Sequence, residues 1–206
     1  GVKLKILLVA VPNQVLQNYQ RMATLSNLEV AGMEAEVFGL MRSSIREGEY
    51  QDPVCLVDIG WQSTTVSIVE KERLRVSHSF DISGTGLTKA LSSSLGVSLE
   101  EAEKLKKEYG LDPQKEEVSR VLISEINQLA LEIERVCQDF YQAEGKKVKE
   151  LILAGGTASL FGLREYLEDR IKKNVRIADP FSNVSYPSIL KDRLRELGPS
   201  FAVALG

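Results

Sequence analysis

The stretch Val54–Val66 (VCLVDIGWQSTTV) limits what this chain can fold into more than any other. Val54, Cys55, Leu56 and Val57 are strand formers without a polar member, as suits a strand buried on both faces. The run ends on the carboxylate of Asp58, bends at Gly60 and enters a second strand through the hydroxyls of Ser63, Thr64 and Thr65. Glycine admits φ > 0 and a close backbone approach. Hydroxyls and amide N–H groups of such a turn can donate to phosphate oxygens. A carboxylate beside them orders the water shell that Mg²⁺ usually keeps. An ordinary hairpin with an acidic turn would use the same residues, so the stretch alone leaves both readings open.

With 206 residues, 43% of them hydrophobic, the chain can bury a core as one domain or two small ones. A net charge of −3 gives no general electrostatic footprint for nucleic acid. Cys55 and Cys137 sit in apolar patterns without a CxxC or Cys/His cluster, which predicts buried, reduced thiols. No apolar run reaches the ~18 residues of a membrane span, and no secretory signal is present.

Leu4–Val11 (LKILLVAV) reads as a strand buried on both faces. Its abrupt appearance suggests a fragment. A helix follows from Pro12–Asn13 to about Ser26, carrying Val15, Leu16, Tyr19, Met22 and Ala23 at helical spacing. A short strand at Leu28–Ala31 and a helix at about Met33–Ser43 complete a β-α-β-α rhythm. Arg42–Asp52, polar and closed by Pro53, is the best linker candidate. Strands are then predicted at Val54–Ile59, Thr65–Glu70 and Leu74–Ile82, with a turn at Lys71–Arg73 and His78 as a surface residue of the sheet. Gly84-Thr85-Gly86 leads into a helix at Leu87–Leu95. Its spacing matches neither common phosphate-loop pattern, so it reads as a loop feeding a helix N-terminus.

Ser98 and Glu101 form a capping box, and Gly110 ends that helix, whose apolar stripe is Leu99, Ala102, Leu105 and Tyr109. Glu103 and Lys106 lie on one flank of it, by default a solvated ion pair. Asp112-Pro113 restarts the chain as N-cap and N1. Val118, Leu122, Ile126, Leu129, Ile133, Val136 and Phe140 then hold one face of a core-packing helix to about Glu144. Leu151–Ala154 is a buried strand ending in Gly155-Gly156-Thr157, followed by a helix at about Leu160–Lys172 and a strand at Val175–Ala178. Paired glycines between a strand and a helix allow close approach of a flat ligand or a phosphate, though a plain turn also favours them. In open α/β sheets, ligands sit at the carboxyl ends of strands. Pro199–Gly206 reads as a short apolar helix packing back on the sheet.

Together these stretches resemble the actin-like ATPase superfamily, and within it the PilM family of type IV pilus assembly proteins, relatives of the division protein FtsA. The resemblance is carried by MEAEVFGL (Met33–Leu40), LVDIGWQSTT (Leu56–Thr65), AEKLKKEYG (Ala102–Gly110), LILAGGT (Leu151–Thr157) and GPSFAVALG (Gly198–Gly206). It implies an α/β, ribonuclease-H-like fold, mostly the second half of the family's two halves, with a small subdomain inserted. Residues 1–48 would be the remnant of the first half. Residues 53–206 would be the second domain, with a nucleotide-capping subdomain at about 84–130. The implied ligands are ATP and Mg²⁺. Asp58 would lie near the metal, acting through water, and Gly60, Ser63 and Thr64 near the phosphates. Glu103 and Lys106 would flank the adenosine beside the Gly155, Gly156 and Thr157 turn. Glu34 and Glu36 match acidic positions of the connecting helix, candidates for the metal side.

The family's first phosphate hairpin has no counterpart here, and Trp61 and Gln62 stand where many actin-like ATPases carry small residues. Hydrolysis is therefore expected to be weak or absent. Trp61 is instead a candidate anchor for a partner. The resemblance implies a cytoplasmic, ATP-binding scaffold, peripheral to the inner membrane, that docks to the tail of a PilN-like membrane protein and to other pilus assembly proteins. It implies no nucleic acid and no membrane insertion, and leaves self-assembly open. The alternatives are a nucleotide-free interaction module like the cytoplasmic domain of type II secretion L proteins, an FtsA-like division protein, and a sugar kinase of the same superfamily.

Overall fold

The structure, a computed structural model, describes residues 6–45 and 51–206, with Asn183 described by its backbone alone. It divides into two units, Gly1–Glu36 and Val37–Gly206. In the first, α1 (Asn13–Leu25) starts after Pro12, the position where a missing N–H costs least. Its apolar side is open: Tyr19 and Met22 are exposed, and Leu16 and Ala23 half-buried. The predicted strands at Leu4–Val11 and Leu28–Ala31 are not formed where they are described. Leu4 and Lys5 lie outside the described residues, while Ile6–Val11 and Leu28–Ala31 are irregular and exposed. A strand exists only as part of a ladder, and all five strands found among the described residues belong to the second unit. Glu34 and Glu36 are exposed in the first unit, Glu36 at the start of α2 (Glu36–Ser44).

The second unit begins one turn into the predicted linker's preceding helix, because Leu40, Met41 and Ile45 are buried with the sheet. The division thus falls ahead of Arg42–Asp52, of which 46–50 lie outside the described residues. The sheet is built from β1 (Val54–Ile59), β2 (Thr64–Glu70) and β3 (Arg73–Phe80) in antiparallel succession, then β4 (Glu150–Ala154) and β5 (Asn174–Ile177) in parallel. Its order is β3-β2-β1-β4-β5. The β2–β3 turn is tighter than the sequence suggests. Lys71 and Glu72 both take positive φ, as a two-residue hairpin turn demands, and Arg73 is already in the strand. His78 is exposed on β3, as predicted.

Helices cover both faces of the sheet. Between β3 and β4 come α3 (Gly84–Leu95), α4 (Leu99–Tyr109) and α5 (Glu116–Glu144); α6 (Leu163–Ile171) precedes β5, and α7 (Lys191–Leu197) and α8 (Ala202–Leu205) close the chain. Strand alternation divides the core. Cys55, Val57 and Ile59 face the larger cluster with α3, α5 and α6. Val54 and Leu56 face a smaller one with α2 and Ala202 of α8. All seven predicted apolar positions of α5 are buried. Burying a Leu- or Ile-sized side chain stabilises by about 1.5–3 kcal/mol, so this single helix contributes much of the unit's cohesion. It starts later than Asp112-Pro113 predicts. The Asp112 carboxylate accepts from the Gln114 amide (2.9 Å), and the Lys115 amide donates to the Asp112 carbonyl (3.0 Å). Asp112 therefore closes a turn, and α5 begins one turn on, at Glu116.

Candidate functional site

β1 and β4 run parallel and side by side, so their C-terminal ends bring two distant turns together. Gly60, after β1, and Gly156, after β4, line one cleft of about 640 Å³. Glu103, Lys106 and Thr157 line it as well, with Trp61 and Gly84 on the hairpin side and Ser200 from the C-terminal segment. The volume suits a ligand of nucleotide size, since small-molecule sites span about 300–1,000 Å³.

Four short contacts fix the floor. The Gly60 amide donates to the Ser63 carbonyl (3.0 Å), which closes the hairpin without a positive φ. The Gly60 and Trp61 carbonyls accept from the Gly84 and Thr85 amides (2.9 and 3.1 Å). The first amides of α3 are therefore spent on the hairpin, and Ser83 caps the helix through the Gly86 amide (3.2 Å). Gly84 is a packing glycine: a Cβ there would stand 2.9 Å from Thr157 Oγ1.

The conformational freedom assigned to Gly60 is used at Gly155 instead. Gly155 takes φ 84° and ψ 165°, a region essentially closed to other residues. A Cβ on it would meet Asp58 Oδ1 and the Ile59 carbonyl oxygen, each at 2.5 Å. The Gly155 amide donates to the Pro199 carbonyl (2.9 Å), which ties the C-terminal segment to the turn. At Gly156 the nearest atom to a built Cβ is Ser200 Oγ at 3.5 Å, an ordinary contact, so this glycine keeps the cleft open rather than the backbone possible.

Glu103 and Lys106 depart furthest from expectation. Instead of a solvated pair, Lys106 is buried and Leu99, assigned to the apolar stripe, is exposed. The Lys106 ammonium meets Glu103 Oε2 at 2.7 Å and donates to the Gly84 carbonyl (2.9 Å) and Thr88 Oγ1 (2.8 Å). The Thr88 hydroxyl lies 2.5 Å from Glu103 Oε2, and Lys107 reaches Glu103 Oε1 at 3.2 Å. A lysine whose stem packs against α3 with every ammonium proton placed is fully compensated. Burial acts to raise the Glu103 carboxyl, but hydrogen bonds from Lys106 and Thr88 bring it below its ordinary value. Thr88 had no signal in the sequence beyond its place one turn after Gly84.

Asp58, Ser63 and Thr64 are not among the residues that line the cleft. Asp58, the penultimate residue of β1, lies against the Gly155 turn, opposite Thr65 and Ala154. Ser63 is exposed in the turn. Thr64 is wholly buried, and its hydroxyl donates to the Ile82 carbonyl at 2.6 Å, just beyond the end of β3. Charges on the lining balance, Glu103 and Glu196 against Lys106 and Lys107. Among the described residues no three His, Cys, Asp or Glu side chains gather as a metal cage. A Mg²⁺ here would be held through water and ligand oxygens, the arrangement this ion prefers. No helix among the described residues is long and apolar enough to cross a membrane.

A family model described as "Type IV pilus assembly protein PilM" matches residues 2–206. The chain belongs to that family. It is also 24% identical over 203 residues to the cell division protein FtsA of Bacillus subtilis, across 87% of this chain and 46% of that protein. The chain spans about half the length of the curated relatives it matches. Among solved structures it is similar to the PilM-PilN type IV pilus biogenesis complex, with a TM-score of 0.80 and 22% identity over 94% of this chain and 56% of the other. It is similar as well to MreB 5 of Spiroplasma citri bound to AMPPNP, with a TM-score of 0.67 and 17% identity over 95% and 63%. This family member therefore has part of a mixed α/β actin-like fold, its five-stranded sheet included.

Proposed function

We propose that this PilM-family chain carries the adenosine side of an ATP site in a cytoplasmic scaffold of the type IV pilus assembly platform. The observation that supports it is the shared cleft of about 640 Å³ between the Gly60 hairpin and the Gly156–Thr157 turn, walled by Glu103 and Lys106. In this reading Gly156 leaves room for the base, Glu103 and Lys106 flank the nucleoside, and Asp58 orders the water of a phosphate-bound Mg²⁺. Residues 53–206 act as the second ribonuclease-H-like domain, and 84–130 as the subdomain over the nucleotide. ATP acts as a ligand with different affinities for open and closed states, and so shifts their populations. Closure governs docking to the tail of a PilN-like membrane protein, which keeps the scaffold peripheral to the inner membrane. The comparison with the PilM-PilN complex supports that kind of partner. Asp58→Ala in the full-length protein is expected to weaken Mg-ATP binding at least tenfold by calorimetry, about 1.4 kcal/mol. Unchanged affinity would remove Asp58 from the site.

A second reading keeps the fold as an interaction module without nucleotide. It is favoured by the commitment of Lys106 to Glu103, Thr88 and Gly84, which leaves a charge-balanced lining. Nucleotide titration of the wild-type protein separates the two readings.

A further inference from the structure

Apart from its core face, α5 carries a second stripe. Leu131, Glu134, Arg135, Gln138 and Tyr141 stand at i, i+3, i+4, i+7 and i+10, on one side of the helix. With the end of α6 and the segments that lead into β4 and β5, they wall an open groove of about 670 Å³. Its floor is the outer surface of the larger core cluster, at Cys137, Val148 and Ile171. Leu131 and Tyr141 lie on its rim, 56% and 39% exposed, and about 15 Å apart along the α5 axis. An apolar floor between exposed large side chains marks an interaction surface rather than an ordinary solvated helix face.

The charges on the groove are one-sided. Arg135, Lys147 and Lys173 face a single lining carboxylate, Glu134, on a chain whose net charge is −3. Glu134 is itself engaged by Arg170 from outside the lining (3.0 Å). Lys147 stands over the Tyr141 ring at 5.7 Å, and Lys173 gives one of its three protons to the Val148 carbonyl (2.9 Å). Arg135 reaches Glu132 only at 3.5 Å, an exposed pair of little strength. A local excess of positive charge on an acidic protein selects an anionic partner. No residue of β1–β5 lines the groove, so an incoming chain finds no ladder to extend there. An occupant must bring its backbone hydrogen bonds already made, as a helix does.

We propose that this groove between α5 and the end of α6 is the docking site for an acidic amphipathic helix of a partner protein. The helix lays apolar side chains spaced i, i+4, i+7 on the floor between Leu131 and Tyr141. Carboxylates on its flanks meet Arg135, Lys147 and Lys173. The apolar contacts hold the helix, and the charges set its orientation and speed its arrival.

The test uses two fluorescein-labelled helical peptides, each with leucine at i, i+4 and i+7, one flanked by glutamates and the other by lysines at the same positions. By anisotropy at low salt, the wild-type chain is expected to bind the glutamate peptide at least about tenfold more tightly than the lysine peptide. Amide shifts in ¹⁵N spectra should concentrate at 131–141, 147–148 and 171–173. Arg135→Glu with Lys147→Glu changes two exposed side chains and reverses the sign of the groove, so the preference between the peptides should invert. Leu131→Asp should weaken both peptides. Equal affinity for the two peptides, shifts centred elsewhere, or a preference that survives the charge reversal would overturn the proposal. A dimer in ultracentrifugation that Leu131→Asp dissociates would give the groove to a second copy instead. Cosedimentation with phosphatidylglycerol vesicles that the charge reversal abolishes would give it to a lipid surface. Either result would overturn the helix.

Discussion

Gly155 and Gly156 are chemically identical neighbours, and the structure predicts opposite consequences for replacing them. An alanine at Gly155 would have to occupy φ 84°, ψ 165°, or distort the turn. That backbone region costs about 1–3 kcal/mol for a residue with a Cβ. The new methyl would also sit 2.5 Å from Asp58 Oδ1 and from the Ile59 carbonyl oxygen, where backbone cannot give way cheaply. Overpacking of this kind costs a further ~1–3 kcal/mol. Gly155→Ala is therefore expected to destabilise by about 2–6 kcal/mol. With a urea m-value of about 2 kcal/mol/M, a 4 kcal/mol loss moves the midpoint by about 2 M. At Gly156 the closest approach is 3.5 Å, so Gly156→Ala should stay within about 0.5 kcal/mol of wild type, as for an ordinary surface change. The assay is urea unfolding of both variants by circular dichroism, with the m-value checked for constancy. Equal shifts, or a larger one at Gly156, would refute the claim that Gly155 alone lets the β4 turn close over the end of β1.

Thr64→Val should cost about 1–3 kcal/mol by stranding the Ile82 carbonyl, and leave nucleotide affinity unchanged; weakened affinity without lost stability would restore Thr64 to the ligand side. Because the Glu103 carboxyl is lowered in the fold, its contribution to stability is complete above the ordinary value of 4.5 and is lost as pH falls through the lowered one. Lys106→Met removes the strongest of the groups that lower it, so stability against acid should fall less steeply below about pH 4.5 than in wild type; parallel curves would show that Lys106 does not set that titration. Trp61 is the single tryptophan, 64% exposed and on the cleft lining, so saturating Mg-ATP should shift its emission. Calorimetric binding with an unchanged spectrum would place the ligand away from the hairpin.

Much of the second unit was legible in the sequence because most of its elements carry their own local signal, although α7 (Lys191–Leu197) was not anticipated. The α5 period, the Ser98 cap and the Gly110 stop are set by contacts within a few residues, and each stands where predicted: the Glu101 amide donates to Ser98 Oγ at 3.1 Å. Leu4–Val11 and Leu28–Ala31 show the complementary case. An apolar run reports that a segment wants burial, but pairing is decided by which other strands reach it. That information does not reside in the segment. Asp112-Pro113 failed for a related reason, since an Asx-type turn and a helix N-cap ask for the same residues and differ only in where the next amides point.

At the cleft the two motifs meet, and packing decides which of their polar atoms already have partners. Asp58-Ile59-Gly60 and Gly155-Gly156-Thr157 do meet, because β1 and β4 are parallel neighbours and both turns leave the same edge of the sheet. What a motif cannot say is which of its polar atoms the fold has already used. Thr64 and Lys106 have the chemistry a phosphate or a ribose would attract, yet Thr64 is bonded to Ile82, and Lys106 to Gly84, Thr88 and Glu103. Those bonds tie β2 to the segment that enters α3, and α3 to α4. What that frame leaves open on the cleft lining includes Gly156 and, at the rim, Trp61, the surface on which the proposed ligand would depend. Replacing a framing residue should therefore change stability first and affinity second, whereas filling the space at Gly156 should reverse that order.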